Sequence, residues 1–303
     1  MKKSDSSAGP FMHDFASPNP CTWCDGCGDY GIWTAAKRAL VTLKIAPSQV
    51  LLCYDVGCHG NMSDKIGGYR MHGLHGRVIP LAAGAALANP AIPVIAFGGD
   101  GASFSEGVGH LVHGIRSNYR MTFVMHNNAN YGLTTGQASA LTWQNQPMNS
   151  SPNGIPEETL NSMDFVFSLK PTFVARGWSG DIAQMTRILT AAIRHRGFAY
   201  VDMLQACPSY NKFATHEWLM QHCYDVNADP STSLRAGGHD PKDFAKARSL
   251  AVDTQNRVAT GILYQTEDVP AFHERLKARE GAVTTPVEEV KIVDTTQWER
   301  VFL

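Results

Sequence analysis

Residues 93–132 read PVIAFGGDGASFSEGVGHLVHGIRSNYRMTFVMHNNANYG and are the most informative segment of the chain. Two short apolar runs, 93–97 and 121–125, are followed by GGDG and by HNNANYG. The segment between them has helical character through about residue 116. A strand, a helix and a second strand in this order predict two neighbouring parallel strands joined by a crossover helix.

The same alternation extends to both sides of this stretch. Apolar runs of strand length occupy residues 50–56, 172–175 and 200–204, and helical spacing occupies 32–43, 79–88 and 181–195. Strands that alternate with helices predict an α/β fold with a doubly wound, mostly parallel sheet. Residues 67–76 and 140–165 are predicted to be loops, about 222–240 a polar linker and 241–266 helical.

Composition limits the classes of partner. The chain has 303 residues, 26 Lys and Arg against 27 Asp and Glu, and a net charge of −1, which gives no field for nucleic acid or an anionic membrane. No run approaches the roughly 20 apolar residues of a membrane span. Charged residues make up only 17%, below the usual level of about 25%, which suggests that a partner chain covers part of the surface.

We expect three parts in the chain. Residues 1–20 are rich in Ser and Pro and lack periodicity, so they form an N-terminal arm. Residues 21–225 form the α/β domain, and 226–303 form a C-terminal extension that packs on a partner subunit. The N-terminal MKKSDSS has no apolar signal core, so we expect a cytoplasmic, reducing location. There the seven Cys are thiols or metal ligands rather than disulfides.

The Gly99-Asp100-Gly101 segment carries the first chemical signal. The two glycines let the backbone approach a bulky anion, and the following helix presents free N–H groups to phosphate. Asp100 alone would repel a diphosphate, so its carboxylate implies Mg²⁺ between them. Asn128 follows the next predicted strand and reaches the same carboxyl edge of the sheet. Taken alone, Gly-Asp-Gly is compatible with an ordinary turn.

This pattern, Gly99-Asp100-Gly101 followed by Asn127-Asn128, resembles the thiamine diphosphate (ThDP) and Mg²⁺ motif of ThDP-dependent enzymes. In that family a backbone carbonyl two residues after the Asn completes the protein ligands. The resemblance therefore implies that Asp100, Asn128 and the carbonyl of Asn130 hold Mg²⁺. It also implies the diphosphate-binding domain fold of these enzymes.

Four cysteines form the second signal. Cys24 and Cys27 have C-x₂-C spacing, while Cys58 and Cys207 each follow a predicted strand. Four thiolates suit a [4Fe–4S] cluster. Structural zinc is the alternative, although zinc sites usually use two compact pairs. Cys21 also lies three residues before Cys24 and could join a C-x₂-C-x₂-C run.

The other two cysteines carry no assigned chemistry. Cys53 sits inside an apolar strand and is predicted to be a buried core thiol. Cys223 lies in a polar segment and receives no role.

The combined motifs look like the β subunit of the 2-oxoacid:ferredoxin oxidoreductases, and the resemblance covers about residues 12–225. Among two-subunit members the chain is most similar to the 2-oxoglutarate type. The motifs are WCDGCG (23–28), GC (57–58), LHGR (74–77), GDG (99–101), NNANYGLTTGQ (127–137) and CPSYN (207–211).

The resemblance implies site residues by position. Cys24, Cys27, Cys58 and Cys207 would ligate a [4Fe–4S] cluster, held in part by an N-terminal loop. Some members carry a Lys three residues after the third of these cysteines, where this chain has Asn61. The residues expected to contact ThDP are Gly57, His59, Gly99, Asp100, Gly101, Ala102, Asn128, Tyr131, Gly132, Leu133 and Thr134.

His75 and Arg77 are the candidate catalytic side chains. A His can move a proton or stabilise an oxyanion, and a guanidinium can bind a carboxylate or phosphate. Loop-anchoring hydrogen bonds are the alternative role for both. Glu106 is expected to be structural or to face the cofactor, and His110 and His113 are expected to serve packing.

The resemblance implies a ThDP- and CoA-dependent, reversible oxidative decarboxylation of a 2-oxoacid, with electrons passing through the cluster to ferredoxin. The best candidate converts 2-oxoglutarate to succinyl-CoA and CO₂, and in reverse it fixes CO₂, as in a reductive tricarboxylic acid cycle. An α subunit would supply the pyrimidine-binding domain and the activating Glu, in an (αβ)₂ assembly. Alternatives are a pyruvate or broad-range enzyme, a non-oxidative ThDP decarboxylase subunit, and a non-catalytic zinc-bearing subunit.

Overall fold

An eight-stranded sheet organises the chain in the computed structural model, which describes residues 9–228 and 239–279. The strands are β1 (Leu51–Tyr54), β2 (Tyr69–His72), β3 (Val94–Gly99), β4 (Met121–Asn127), β5 (Phe173–Trp178), β6 (Phe198–Leu204), β7 (Cys223–Asp225) and β8 (Val258–Gln265). The helices are α1 (Asp29–Thr42), α2 (Val78–Ala88), α3 (Val108–Ser117), α4 (Ser162–Ser168), α5 (Ile182–Arg194), α6 (His216–His222), α7 (Phe244–Ala251) and α8 (Phe272–Lys277).

The strand order is β2-β1-β3-β4-β6-β5-β8-β7, and every neighbouring pair is parallel except β5 with β8. This arrangement confirms the predicted doubly wound, mostly parallel α/β fold. None of the described helices is long and apolar enough to cross a membrane.

Two apolar cores lie on opposite faces of the sheet. In β3, Val94 and Ala96 belong to the core under α2 and α3, whereas Ile95 and Phe97 belong to the core under α1 and α5. Both faces of the central strands are therefore buried. This explains why these strands read as continuous apolar runs rather than as alternating ones.

Three sequence predictions were wrong. The predicted loop at 67–76 contains β2, whose residues are all exposed and whose pairing with β1 alone defines it. The predicted helix at 241–266 is instead α7 followed by β8. Between these elements the Asp253 carboxylate accepts hydrogen bonds from the amides of Gln255, Asn256 and Arg257, and this turn ends the helical path.

The third prediction, a polar linker at about 222–240, is wrong at its start, where residues 223–225 form a strand, and residues 229–238 lie outside the described residues. β7 pairs parallel with β8 at the edge of the sheet. Its three residues are too few to show a strand pattern in the sequence, and pairing with β8 makes them a strand.

The C-terminal part of the described chain contributes to the same sheet. β8 lies within the predicted extension but pairs antiparallel with β5, so residues 258–265 complete the α/β layer. Packing of this extension on a partner stays a prediction. In the predicted N-terminal arm, Met12–Phe15 form one helical turn and Phe15 is fully buried, while residues 1–8 and 280–303 lie outside the described residues.

The parallel strands bring the predicted motifs to one edge. Gly57, Asp100, Asn128 and Cys207 follow β1, β3, β4 and β6. Since these four strands run in the same direction, their carboxyl ends meet at one edge of the sheet. Ala102–Glu106 form a π-helical turn ahead of α3, a feature often found at functional sites.

Candidate active site and cysteine centre

A cavity with about 420 Å³ of empty space opens at this edge of the sheet. Every residue that the sequence predicted to contact ThDP lines it, together with Cys58, His75 and Asn130. The full lining consists of Val56, Gly57, Cys58, His59, His75, Gly99, Asp100, Gly101, Ala102, Asn128, Asn130, Tyr131, Gly132, Leu133 and Thr134.

Asp100 supplies the negative charge of the cavity. Its side chain is buried, its Oδ1 accepts the amide of Asn128 at 3.3 Å, and its Oδ2 accepts the hydroxyl of Ser139. Burial raises the pKa of Asp100 to about 7, although these two hydrogen bonds oppose the rise. A divalent cation beside the carboxylate would offset the cost of burying its charge.

The loop after β4 adds neutral oxygen atoms. Ala129 adopts a left-handed conformation with φ of 54°, which folds Asn130 back onto Asn128. The Asn128 Oδ1 accepts the Asn130 amide at 3.1 Å, and Asn211 donates to the Asn128 carbonyl at 2.9 Å. The buried Asn130 Oδ1 finds no hydrogen-bond partner among the described residues. One carboxylate with amide oxygens, one of them unpaired, is a donor set that fits Mg²⁺.

Glycines allow the imidazole of His59 to form part of the cavity wall. Gly57 has φ of +148°, and a Cβ there would stand 2.6 Å from the His59 ring. A Cβ on Gly101 would overlap the ring of Tyr131. Burial, with a smaller contribution from His126, holds the pKa of His59 well below its usual value, so the ring is neutral. Its Nε2 has no hydrogen-bond partner in the described part of the chain.

The mouth of the cavity carries three linked polar side chains. Glu106 accepts the hydroxyl of Tyr131 at 2.8 Å and lies 3.3 Å from the Nδ1 of His75. Burial and the Glu106 carboxylate raise the pKa of Tyr131 to about 12. Glu106 was expected to be structural or to face the cofactor. In the structure it contacts both His75 and Tyr131.

Arg77 does not line the cavity. Its guanidinium donates to the carbonyls of Gly76 and Glu106 at 3.1 and 3.0 Å. These contacts match the loop-anchoring alternative. Asp55, which sequence reasoning missed, anchors the same loop, because its carboxylate accepts the amides of Gly76 and Val78. Its position directly after the β1 strand was the available signal.

Four cysteines meet beside the cavity. Cys27 and Cys207 are buried, Cys58 is half-buried and Cys24 is exposed, and all four are free thiols. Burial raises the pKa of Cys58 to about 12, and the charges of Asp29, Cys207 and Cys24 add to the rise. Cys58 in turn raises the pKa of Cys27. Thiolates this crowded need a bound cation to compensate their charge, so the donor set fits a cysteine-ligated metal centre.

The described His, Cys, Asp and Glu side chains do not converge on one point. Within residues 9–228 and 239–279, no group of three or more His, Cys, Asp or Glu side chains is close enough to hold a single metal ion. The thiolates of a four-iron cluster stand further apart than the ligands of one ion, because each binds a different iron.

Three cysteines remain outside the predicted set of ligands. Cys53 is fully buried inside β1, which confirms the predicted core thiol. Cys21 is half-buried against the core on the α1 face, and Cys223 begins β7. Neither carries an assigned role.

The fold and the oxygen donors define a class, the thiamine-diphosphate-binding domains. A family model described as "Thiamine pyrophosphate enzyme, C-terminal TPP binding domain" matches residues 55–203. A second family model, which describes the C-terminal part of the pyruvate ferredoxin oxidoreductase β chain, matches residues 207–280. The two matched ranges together take in the cavity, Cys58 and Cys207.

Proteins of similar sequence identify the family within this class. The 2-oxoacid:ferredoxin oxidoreductase subunit beta of Saccharolobus solfataricus is 35% identical over 288 residues, covering 88% of this chain and 94% of that protein. The 2-oxoglutarate synthase subunit KorB of Methanocaldococcus jannaschii is 31% identical over 262 residues, covering 85% and 92%. This chain belongs to the β subunits of the 2-oxoacid:ferredoxin oxidoreductases, enzymes that use ferredoxin as electron acceptor.

A solved structure supports the same assignment. The 2-oxoglutarate:ferredoxin oxidoreductase from Magnetococcus marinus, with 2-oxoglutarate, coenzyme A and succinyl-CoA bound, superposes with a TM-score of 0.82 at 31% identity. The match covers 96% of both chains.

Proposed function

We propose that this chain, with an α subunit, oxidises 2-oxoglutarate to succinyl-CoA and CO₂ and delivers the electrons to ferredoxin. Asp100, Asn128 and the backbone carbonyl of Asn130 would hold the Mg²⁺ that binds the ThDP diphosphate. Cys24, Cys27, Cys58 and Cys207 would ligate a [4Fe–4S] cluster. When bound, ThDP supplies a nucleophilic carbon and an electron sink, and the cluster accepts single electrons.

One observation carries this proposal. Cys58 lines the same cavity as Asp100 and Asn128, and a Cβ on Gly132 would stand 3.3 Å from the Cys58 sulfur. The thiol centre and the oxygen donors therefore share a wall. A non-oxidative ThDP enzyme needs no cysteine centre in that position, whereas direct electron transfer from the cofactor requires one.

Side chains of this chain would bind and orient the cofactor and the substrate. The neutral ring of His59 adds no positive charge beside the diphosphate site, so the metal is the partner of the diphosphate. His75 and Glu106, which lie 3.3 Å apart at the mouth, would hold or move a proton near the substrate carbonyl. Leu133, which is half-exposed, lines the same cavity.

The choice of 2-oxoglutarate rests on named relatives. The KorB protein of Methanocaldococcus jannaschii is named a 2-oxoglutarate synthase, and the Magnetococcus marinus enzyme was solved with 2-oxoglutarate. Among the described lining residues no Lys or Arg is present to pair with a second carboxylate. We therefore propose that the α subunit provides that cation, together with the pyrimidine-binding domain and activating Glu, in an (αβ)₂ assembly.

The direct test is anaerobic co-expression with the α subunit. CoA-dependent reduction of viologen or ferredoxin would be measured with 2-oxoglutarate, pyruvate and 2-oxobutyrate. We expect kcat/KM for 2-oxoglutarate to exceed the others by tenfold or more. Equal values would favour the broad-range alternative, and a preference for pyruvate would overturn the substrate assignment.

Two cysteine variants separate the oxidative from the non-oxidative alternative. Cys207→Ala should lose iron and acceptor reduction, while Cys53→Ala, a buried thiol of the β1 core, should keep both. Iron and labile sulfide would be quantified in each protein. Release of CO₂ without any acceptor reduction by the wild-type protein would instead support a non-oxidative decarboxylase. Unchanged acceptor reduction by the Cys207 variant would rule out Cys207 as a cluster ligand, and zinc in place of iron would support a structural metal.

A further inference from the structure

Gln205 contacts the sulfur of Cys27, a proposed cluster ligand, and has no role in the proposed function described above. It lies between β6 and Cys207, and only 2% of the residue is exposed. Its Nε2 donates to the Cys27 sulfur at 3.1 Å and to the Ala206 carbonyl at 3.2 Å. Since Nε2 faces two acceptors, the amide is oriented with its N–H groups toward the sulfur.

The sheet holds this donor in place. The backbone amide of Gln205 donates to the carbonyl of Asn127 at the end of β4, at 2.8 Å. The Gly28 amide, next to Cys27, donates to the Ala206 carbonyl at 2.9 Å. Both segments are therefore tied to each other through backbone hydrogen bonds. The side-chain contact spans 178 residues of sequence, so the tertiary fold and not local chain geometry creates it.

The surroundings of the Cys27 sulfur make a donor important. The Asp29 carboxylate lies 3.6 Å from the same sulfur, and Cys27 is buried. A metal-bound thiolate has no proton to share with Asp29, so this carboxylate repels it. Gln205 supplies an N–H on a buried sulfur that water reaches poorly.

We propose that Gln205 is a positioning residue whose hydrogen bond to Cys27 raises the reduction potential of the [4Fe–4S] cluster. This inference rests on the cluster of the proposed function. An added electron increases the negative charge on the cluster and its thiolates, so an N–H donor stabilises the reduced state more than the oxidised state. The potential in turn sets how readily the cluster accepts an electron and passes it to ferredoxin.

A second donor provides a matched control. The Ser209 hydroxyl donates to the Cys24 sulfur at 3.2 Å, but Cys24 is exposed. Water can replace the Ser209 hydroxyl there, whereas the buried Cys27 has no such replacement. Removing each donor in turn compares a buried and an exposed hydrogen bond on the same cluster.

The test is a redox titration of the assembled, anaerobic αβ enzyme, followed by the EPR signal of the reduced cluster. In Gln205→Met, which keeps the volume and loses the donor, we expect the ratio of reduced to oxidised cluster at a fixed solution potential to fall about three- to tenfold. A tenfold change in this ratio corresponds to about 59 mV for one electron. Ser209→Ala should change the ratio less than twofold.

The outcomes are distinct. Absence of iron from the wild-type protein would count against the proposed function. With a cluster present in the wild type, a Gln205→Met potential that is unchanged or higher overturns the role of Gln205. The Gln205→Met variant could lose its cluster. In that case Gln205→Asn, whose amide is withdrawn by one methylene, must show the lowered reduction potential instead. Loss of the cluster in both variants would mean that Gln205 serves assembly and not the potential.

Discussion

Replacing Asp100 with Asn should move stability and cofactor binding in opposite directions. Asn keeps the shape and the hydrogen-bonding capacity of the side chain but removes its charge. In the cofactor-free protein this charge is costly, because Asp100 is buried and only neutral donors contact it. With Mg²⁺ and ThDP present, the same charge becomes the strongest protein ligand of the proposed metal site.

The size of the first effect follows from the pKa. Burial raises the pKa of Asp100 from 3.8 to about 7, and each unit is worth about 1.4 kcal/mol. A folded-state pKa above the unfolded value means that stability falls as pH rises from about 4 to about 7 and stays low above. Cofactor-free Asp100→Asn should therefore gain about 4 kcal/mol over wild type at pH 8, and about half of that at pH 5.5.

The second effect is loss of affinity. Removing the charged ligand should weaken Mg²⁺-dependent ThDP binding at least about 100-fold, or about 3 kcal/mol. Thermal unfolding of the αβ enzyme at pH 8 would be recorded without cofactors and with Mg²⁺ and ThDP, alongside a calorimetric titration. The reasoning is refuted if the cofactor-free variant melts below wild type at pH 8, or if ThDP binds both proteins equally.

The remaining predictions concern stability and the cavity wall. Burial lowers the pKa of His195 to about 4, so stability should fall by about 2 kcal/mol between pH 7 and pH 5 as the unfolded His gains its proton; melting curves of His195→Gln should show less of this loss. Arg176→Met leaves the carboxylate of Asp202, its fully buried partner at 3.0 Å, without a cation and should cost about 3–5 kcal/mol; adding Asp202→Leu should restore most of it, and no recovery in denaturation would contradict the pairing argument. Gly57→Ala should displace the adjacent imidazole ring and weaken ThDP binding about tenfold or more, whereas Gly84→Ala, in an open helix position, should leave binding unchanged and stabilise by about 0.5–1 kcal/mol.

Much of the site could be predicted because its chemical groups lie in short motifs of neighbouring residues. The Gly99-Asp100-Gly101 and Asn127-Asn128 segments each follow an apolar strand. Parallel strands bring such segments to one edge of a sheet, so their residues line one cavity. Cys58 could be placed beside them for the same reason.

Other features could not be predicted, since they depend on partners distant in sequence. β2 is exposed along its length and has no hydrophobic pattern of its own; it is a strand because it pairs with β1. Arg77 has the chemistry of an anion-binding residue, and only the fold shows that its Nη1 donates to two backbone carbonyls.

Neighbouring residues are enough to specify the class of fold, the donor types and the order in which they occur, because strand periodicity and motif spacing are local properties. Which donors are buried, and which polar groups touch them, depends on packing between segments that are distant in the chain. The carboxylate of Asp100 is costly because its surroundings exclude water, and Gln205 reaches Cys27 because β4 and β6 pair side by side. Dielectric surroundings and long-range contacts arise from packing, and no local pattern of residues encodes them.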